Sequence, residues 1–257
     1  MILKQIARSE RLVAVRPASL LEVRPRPQML STGIAQLDAM TGGIPRGCLS
    51  EISGPTSCGK SSVLLAALAA ATRRDESCVL IDASDSFDPA SGTAAGVQFA
   101  KLLWVRCGGS PSAVSPMFMA TRASSPVQRL EQFLKATDLI LQSGGFGLVA
   151  LDLAGIPDKF VRRIPLTSWF RFQRAVEHTK TALLVIGEIP CAQTCAALVM
   201  KLSGKPSPLG QKPSGKPSHA EILESLRVEA ELVRSRLERK PVQSLKTVFE
   251  TKAVRAG

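Results

Sequence analysis

Short apolar runs alternate with longer amphipathic or alanine-rich runs through most of the chain. The apolar runs have the length and composition of buried strands and lie at residues 48–53, 78–81, 102–105, 146–151 and 182–186. The longer runs between them have helical spacing and lie at residues 60–72, 126–143 and 166–179. Strand and helix in alternation predict an α/β fold, with a mostly parallel, twisted sheet and helices on both of its faces.

The helix predicted from Pro126 has the clearest local signals at both ends. Ser125 is expected to be its N-cap, Pro126 suits the first helical position, and Gln128 completes a capping box. Leucines recur at helical spacing along one face, and Gly144 and Gly145 are expected to end the helix. This helix should therefore pack one apolar face against the sheet.

The end of the chain has a different pattern. A strand is predicted at residues 196–202, and residues 226–237 and 245–253 alternate apolar and polar positions on either side of Pro241. These last two segments predict an antiparallel strand pair that extends the sheet at its C-terminal end.

Composition shifts suggest the domain boundaries. Residues 1–30 are mixed and interrupted by prolines, which predicts an N-terminal arm followed by a single core domain at residues 31–257. Within that domain an insertion is predicted at about residues 109–126. Residues 203–218 are rich in Lys, Pro, Gly and Ser and predict a flexible loop.

Composition also excludes several classes of protein. Apolar residues make up 45% of the 257 residues and charged residues 21%, as in a globular protein. The longest apolar run, residues 63–71, is far shorter than the roughly 20 residues of a membrane span, and residues 1–12 lack the apolar stretch of a secretory signal. The six cysteines form no CxxC pair and are expected to be buried or half-buried thiols rather than a metal site. A cytoplasmic protein without a membrane segment is therefore expected.

The net charge of +12 is concentrated at the two ends. Residues 1–30 carry a net charge of +4 and residues 201–257 of +6, whereas residues 31–200 carry only +2. Basic ends are typical of proteins with an anionic partner such as nucleic acid, but solvated tails give the same charge without binding. Lys205, Lys212 and Lys216 are candidate phosphate contacts. Aromatic residues are only 4% and tyrosine is absent, so a stacking surface for single-stranded bases is poorly supplied.

The strongest chemical signal is the segment GPTSCGKS, which matches GxxxxGK[ST] at every required position. It follows a predicted strand and opens a predicted helix, so glycine-rich backbone and a helix N-terminus would face an anion together. Lys60 is expected to reach the β- and γ-phosphates of a nucleotide, and the Ser61 hydroxyl to contact Mg²⁺. The predicted nucleotide-binding residues are Gly54, Pro55, Thr56, Ser57, Cys58, Gly59, Lys60 and Ser61.

Acidic residues follow several of the predicted strands. Asp152 directly follows one of them and is expected either to complete the Mg²⁺ site or to cap a helix. Hydrolysis needs a further carboxylate that orients the attacking water. Leu153 follows Asp152, so the candidates for that carboxylate are Asp82, Asp85 and Glu188, each of which is equally suited to a cap or a salt bridge.

The phosphate loop and its surroundings resemble the RecA family of bacterial recombinases. Segments that carry the resemblance lie at residues 31–38, 42–47, 51–55, 81–89, 146–152, 226–236 and 245–252. The resemblance covers about residues 30–255. It implies a RecA-like P-loop NTPase core with ATP and Mg²⁺ as ligands, and no large C-terminal domain is expected after the last strand.

The departures from the family pattern bear on function. Ser84 stands where the family places its catalytic glutamate, and Glu188 stands where the family places a phosphate-sensing glutamine. Both changes predict weak or absent ATP hydrolysis, although Asp85 or Glu188 are possible substitutes for the catalytic carboxylate. The second DNA-binding loop of the family is shortened here to residues 189–194.

Other positions match the family residue by residue. Asp88 matches a contact on the adenine side of the nucleotide, and Arg162 and Arg163 remain in the region of the first DNA-binding loop. Arg234 and Arg236 match two basic residues that reach a neighbour's nucleotide across a filament interface, although an edge strand carries similar charges without that role. Self-association and direct DNA contact are thus both compatible with the resemblance.

A RecA-like core with altered catalytic positions, a short second loop and a basic tail is similar to the ImuA family. That resemblance implies an accessory protein of the SOS response and of mutagenic translesion DNA synthesis, with an ImuB-like polymerase-related protein and RecA as partners. It also implies a cytoplasmic protein that associates with the nucleoid when active. ATP would then act as a bound ligand with little turnover.

Two enzymatic alternatives remain open at this stage. One is an active DNA-dependent ATPase or recombinase of the RecA family. The other is a small-molecule kinase, which needs an arginine-bearing lid, whereas residues 108–125 carry only Arg122.

Overall fold

The computed structural model describes residues 26–107, 125–206, 225–236 and 245–252. Its strands are β1 (Met29–Leu30), β2 (Ile44–Pro45), β3 (Leu49–Ser53), β4 (Cys78–Asp82), β5 (Leu102–Arg106), β6 (Leu148–Asp152), β7 (Ala182–Gly187), β8 (Ala196–Pro206), β9 (Ser225–Ser235) and β10 (Leu245–Lys252). Its α-helices are α1 (Ala35–Thr41), α2 (Lys60–Arg73), α3 (Pro89–Ala94), α4 (Pro126–Ser143), α5 (Asp158–Val161) and α6 (Leu166–Val176). Most of the predicted arm and insertion lie outside the described residues, as do Lys212 and Lys216.

Eight of the strands form one sheet in the order β10-β9-β8-β3-β7-β6-β4-β5. The six strands from β8 to β5 are parallel to one another, whereas β9 is antiparallel to both β8 and β10. The predicted mostly parallel sheet with an antiparallel pair at its C-terminal end is therefore confirmed.

Apolar side chains from both faces of the sheet form two separate cores. On one face α1 and α2 contribute residues such as Leu37, Val63 and Leu68. On the other face α4 and α6 contribute residues such as Phe133 and Trp169. Because the central strands are covered on both sides, β4, β6 and β7 are buried along their whole length, which explains their unbroken apolar sequences.

The ends of α4 follow the local signals in the sequence. The Gln128 N–H donates to the Ser125 hydroxyl at 3.3 Å, and the Ser125 N–H donates to Gln128 Oε1 at 3.0 Å. Pro126 is the first helical residue, and Gly144 follows the last turn. The predicted capping box and helix bounds are confirmed.

Two segments form β-strands beyond their predicted limits, one in the eight-stranded sheet and one in a separate two-stranded sheet. β8 continues to Pro206, four residues into the segment predicted as a loop, because it pairs with β9 as far as Leu226. Near the start of the described chain, β1 pairs with β2, and Leu30 is buried in the core. The rest of the 203–218 segment, from residue 207, lies outside the described residues.

The cysteines are buried or half-buried thiols, as predicted. Cys48 is half-buried and the remaining cysteines are buried. Burial raises the pKa of Cys78 to about 12 and that of Cys107 to about 11, so both thiols stay protonated at neutral pH. In the part of the chain that is described, none of the helices has the length and apolar character needed to cross a membrane.

Candidate nucleotide-binding site

The connection between β3 and α2 forms the phosphate loop. The helix begins at Lys60, with Gly59 as its N-cap. Ser57 and Gly59 have left-handed backbone angles, with φ of 60° and 93°, so the chain curls tightly before the helix starts. The residues predicted to bind the nucleotide, from Gly54 to Ser61, therefore lie together where a helix N-terminus attracts anions.

Two glycines of the loop are required by close packing against the antiparallel strands. A Cβ on Gly54 would clash with the carbonyl oxygen of Leu202 in β8 and would lie 2.6 Å from the Sγ of Cys58. A Cβ on Gly59 would lie 2.5 Å from the Cγ2 of Val228 in β9. The loop thus rests directly on β8 and β9, and larger side chains would lift it from them.

A third glycine, in β8, completes this support and was missed by the sequence analysis. A Cβ on Gly204 would lie 2.7 Å from the Cα of Cys58 and 2.8 Å from the carbonyl oxygen of Ser57. Gly204 pairs in register with Val228, so the pair forms the floor beneath the loop. No local signal links residues this far apart, and Gly204 falls in the segment predicted as a flexible loop.

The side chain of Lys60 lies inside the loop and is only 7% exposed. Its Nζ donates hydrogen bonds to the carbonyl oxygens of Gly54 and Pro55, the latter at 2.7 Å. These bonds hold the ammonium group at the mouth of the loop, where the lysine of this motif meets the β- and γ-phosphates. The loop backbone and the positive charge of Lys60 therefore fit the phosphate groups of a nucleotide.

Asp82 and Asp152 end neighbouring parallel strands and are paired in register. Asp82 accepts hydrogen bonds from the N–H groups of Ser84 and Phe87 and stabilises the turn after β4. Asp152 accepts one from the Ala154 N–H at 2.8 Å. It does not cap a helix, since α5 starts later and has Pro157 as its N-cap. The alternative considered for Asp152 is thereby removed.

The environment of Asp152 suits a group that meets a cation. Burial raises the pKa of Asp152 to about 6, and the charge of Asp82 adds to this, while the Ala154 N–H and the Lys60 charge oppose it. A divalent cation stabilises the ionised form of a carboxylate that is buried beside another acid, because it offsets both the cost of desolvation and the repulsion between the two charges. Asp152 and the Ser61 hydroxyl therefore remain the residues suited to Mg²⁺.

Ser84, at the position of the family's catalytic glutamate, and the candidate acid Asp85 both follow β4 and differ in what surrounds them. The Ser84 hydroxyl donates to the carbonyl oxygen of Ala154, which ties the turn after β4 to the turn after β6. Both oxygens of Asp85 accept hydrogen bonds from Arg106, each at 2.6 Å. Hydrogen bonds from that guanidinium hold the pKa of Asp85 below its usual value. Arg106 also stacks over Trp104, 4.7 Å from the ring centroid, so Asp85 is bound at the end of β5.

Glu188 is the candidate carboxylate that reaches the phosphate loop. Its Oε1 accepts a hydrogen bond of 3.1 Å from the Thr56 hydroxyl at the tip of the loop. The preceding residue, Gly187, accepts a hydrogen bond of 3.3 Å from the Gly54 N–H. The end of β7 and the start of the loop are thus joined by both backbone and side-chain contacts.

The segment after Glu188 is anchored by a buried carboxylate that the sequence analysis missed. Glu51 in β3 is only 1% exposed, and its Oε1 accepts hydrogen bonds from the N–H groups of Cys191 and Ala192 at 2.5 and 3.0 Å. A glutamate within an apolar strand was the available signal, because a buried carboxylate needs partners. The connection between β7 and β8 is therefore fixed at both ends.

A cavity of about 660 Å³ lies beside the first turn of α2. Ser61 and Ser62 line it from that helix, and Ser91, Glu250 and Thr251 line it from α3 and β10. Asp88, the predicted adenine-side residue, caps α3 by accepting hydrogen bonds from Ala90 and Ser91. Its pKa is lowered by the Ser91 hydroxyl and by these N–H groups. The cavity is large enough for a nucleoside and shares Ser61 with the phosphate loop.

The arginines predicted to contact DNA lie on the surface. Arg162 and Arg163 follow α5 directly, and both are exposed. Lys159, in the same short helix, is also exposed and lies over the ring of Phe160 at 5.1 Å. These three cations form one basic surface after β6.

The arginines predicted at a subunit interface lie at the end of β9. The Arg234 guanidinium donates to the carbonyl oxygens of Gln193 and Ala196, the latter at 3.1 Å. In this chain it thus holds the connection that leads into β8. Arg236 is exposed, and its backbone N–H donates to the Ala197 carbonyl at 2.8 Å.

Comparison with known proteins finds similarity to RecA over part of the chain. A family profile described as the RecA N-terminal domain matches residues 17–115. Protein RecA of Deinococcus radiodurans is 35% identical over 127 residues, which is 49% of this chain and 30% of that protein. Protein RecA of Rickettsia canadensis is 31% identical over 140 residues, or 52% and 35% of the two chains. The chain is RecA-like.

This RecA-like match has a definite extent. The matched segments span about a third of the length of these curated relatives. The profile match includes the phosphate loop, Ser84 and Asp85, whereas Asp152 and Glu188 lie beyond residue 115. The sheet brings those two residues to the site, because β7 and β6 lie between β3 and β4, the strands that precede the matched site residues.

Proposed function

We propose that this RecA-like nucleotide-binding protein binds ATP with Mg²⁺ and hydrolyses it weakly or not at all. The observation that carries the proposal is the surroundings of Ser84 and Asp85. The Ser84 hydroxyl donates a hydrogen bond to the Ala154 carbonyl oxygen, and Asp85 forms a bidentate ion pair with Arg106. A serine hydroxyl is not a base and an ion-paired carboxylate is a weak one, so neither group suits the deprotonation of a water molecule.

The residues present suit the ligands. The curled backbone from Gly54 to Gly59 and the Lys60 ammonium would hold the phosphates, and Ser61 with Asp152 would hold Mg²⁺. The cation would supply positive charge that neutralises the phosphate oxygens. The cavity beside α2 would take the nucleoside, and Asp88 would act next to it through Ser91, which lines the cavity and donates a hydrogen bond to Asp88.

The cellular role that we propose is that of an accessory protein in the SOS response and in mutagenic translesion synthesis. Support comes from the resemblance to the ImuA family and from the basic ends of the chain. The partners would be an ImuB-like polymerase-related protein and RecA, in the cytoplasm and at the nucleoid. Arg162 and Arg163 would contact DNA phosphates, and Arg234 with Arg236 would act if the chain self-associates.

The direct test measures nucleotide binding and phosphate release side by side, with and without single-stranded DNA. Binding of Mg-ATP that Lys60→Ala weakens by at least about tenfold, without release above background, is the expected result. Absence of measurable nucleotide binding by the unaltered protein would contradict the proposal, because it would show that the phosphate loop does not bind nucleotides in this protein. Retention of purified RecA on the immobilised protein, with and without ATP, tests the proposed partnership separately.

One observation favours the alternative of an active DNA-dependent ATPase. The Glu188 carboxylate is hydrogen-bonded to Thr56, so an acid does stand at the phosphate loop. This alternative predicts phosphate release stimulated by single-stranded DNA and abolished by both Lys60→Ala and Glu188→Gln.

A further inference from the structure

The carboxylate of Glu188 lies at the phosphate loop, beside the part of the loop that holds Lys60. The Nζ of Lys60 bonds to the carbonyl of Pro55 at 2.7 Å, and the lysine of this motif meets the β- and γ-phosphates. Thr56 is the next residue, and its hydroxyl holds Glu188 at 3.1 Å. A negative side chain is thus one residue away from the group that fixes the lysine.

The backbone that carries Glu188 is held on all sides. Gly187 bonds to the Gly54 N–H, and the Glu51 carboxylate binds the N–H groups of Cys191 and Ala192. Arg234 then holds the carbonyl oxygens that lead into β8. The Glu51 bonds are buried and the Arg234 bond to Ala196 is part-buried, so they hold the backbone of this segment beside the loop.

The negative charge of Glu188 repels a bound triphosphate more strongly than a bound diphosphate. A triphosphate carries about one more negative charge than a diphosphate, and its terminal phosphate brings that charge toward Lys60. Because the Thr56–Glu188 contact is exposed, the repulsion has the moderate size that is typical of charges a few ångströms apart near a protein surface. A diphosphate leaves the position of the terminal phosphate to water. Its remaining phosphates lie in the backbone cradle and at the helix N-terminus, which attract them.

We infer that Glu188 makes this site select nucleoside diphosphates over nucleoside triphosphates. The inference rests on the proposed nucleotide binding and adds the ligand class to it. ATP then binds as the weaker ligand.

The test compares the affinities for ADP and for the non-hydrolysable ATP analogue adenylyl imidodiphosphate by calorimetric titration in excess Mg²⁺. The unaltered protein should bind ADP at least about tenfold more tightly than the analogue. Glu188→Gln keeps the size and the hydrogen bond to Thr56 but removes the charge. It should tighten analogue binding by about tenfold and leave ADP binding within about twofold.

Glu177→Gln is the matched control, because it removes the same charge at the end of α6, away from the phosphate loop. It should leave the ratio of the two affinities unchanged. If Glu188→Gln and Glu188→Ala both bind the two nucleotides with the ratio of the unaltered protein, the selection by Glu188 is refuted while nucleotide binding stands. If the unaltered protein binds neither nucleotide, the proposed function fails and the selection fails with it.

Discussion

Asp152 is the last residue of β6, and its side chain is buried. Burial together with the charge of Asp82 raises its pKa to about 6. In the unfolded chain the same carboxyl has its ordinary pKa near 3.8. Between these two values the native state binds the proton more tightly than the unfolded chain, so the free energy of unfolding falls as the pH rises from about 4 to about 6. Above that window the ionised side chain destabilises the nucleotide-free protein.

Asp152→Asn should remove this destabilisation. In the presence of a chelator, the variant should be more stable than the unaltered protein at pH 7 by about 2–3 kcal/mol, with no difference near pH 4. Urea denaturation across that range measures the effect. Glu131→Gln, an exposed charge change on α4, is the control and should shift stability little at either pH. A stability difference that does not depend on pH would contradict the pKa assigned to Asp152.

The Ser84 position gives a second test at the scale of one residue. Ser84→Glu restores a carboxylate where the resemblance expects one, and we expect ATP turnover to rise by at least about tenfold. Phosphate release at saturating Mg-ATP is the measurement, and Ser84→Gln is the control of equal size without charge. The turn is tight, since a Cβ on Gly155 would lie 3.1 Å from the Ser84 hydroxyl oxygen. Equal rates in both variants would show that the missing acid alone does not set the rate.

Among the elements, β8 and β9 support the phosphate loop from below. Gly204→Ala should push the loop away, because the new Cβ meets backbone atoms of Ser57 and Cys58 that cannot rotate aside. We expect ADP affinity to fall by about tenfold and the free energy of unfolding to fall by about 1–3 kcal/mol. Titration calorimetry and urea denaturation measure the two effects.

Ser203→Ala is the control for this change, since Ser203 is exposed and adjacent on the same strand. It should leave both quantities nearly unchanged. Normal ADP binding by a folded Gly204→Ala protein would show that the strand pair does not shape the loop.

The elements that the sequence predicted correctly are those with local causes. The capping box of α4 involves residues three apart, and the phosphate loop is a contiguous motif, so both are visible in a short window. The support by Gly204 and the anchoring by Glu51 were not predictable in the same way. Each joins residues more than 100 positions apart, and only the sheet order brings β8 and the 188–195 segment next to β3. Likewise, Asp85 was a candidate acid until β5 placed Arg106 beside it.

For the whole molecule, the uneven charge predicts how nucleic acid would bind. Because residues 31–200 are nearly neutral, the positive charge available to nucleic acid lies in the exposed cations after α5 and in the basic ends. Such cations would contact phosphates rather than bases. Replacing both Arg162 and Arg163 by Ala should weaken single-stranded DNA binding equally for all sequences. The slope of log affinity against log salt should decrease in magnitude by about 1.4, as expected for two lost phosphate contacts.

Fluorescence anisotropy of labelled oligonucleotides over a range of salt concentrations measures that slope. The control removes two exposed cations at the opposite edge of the sheet, by Arg174→Ala with Lys180→Ala, and should leave the slope unchanged. An effect of the same size in the control would mean that the net charge matters and the surface after α5 does not.

The central proposal concerns the molecule as a whole: the phosphate loop binds the nucleotide, and Ser84 at the family's catalytic position leaves hydrolysis weak or absent. A single-turnover experiment tests this most directly, with the protein in excess over γ-labelled Mg-ATP and with the bound and cleaved fractions measured in the same sample. The account predicts that most of the label is bound, that the bound label is recovered as intact ATP, and that Lys60→Ala abolishes the binding. Rapid release of labelled phosphate by the unaltered protein, lost in Lys60→Ala, would contradict it.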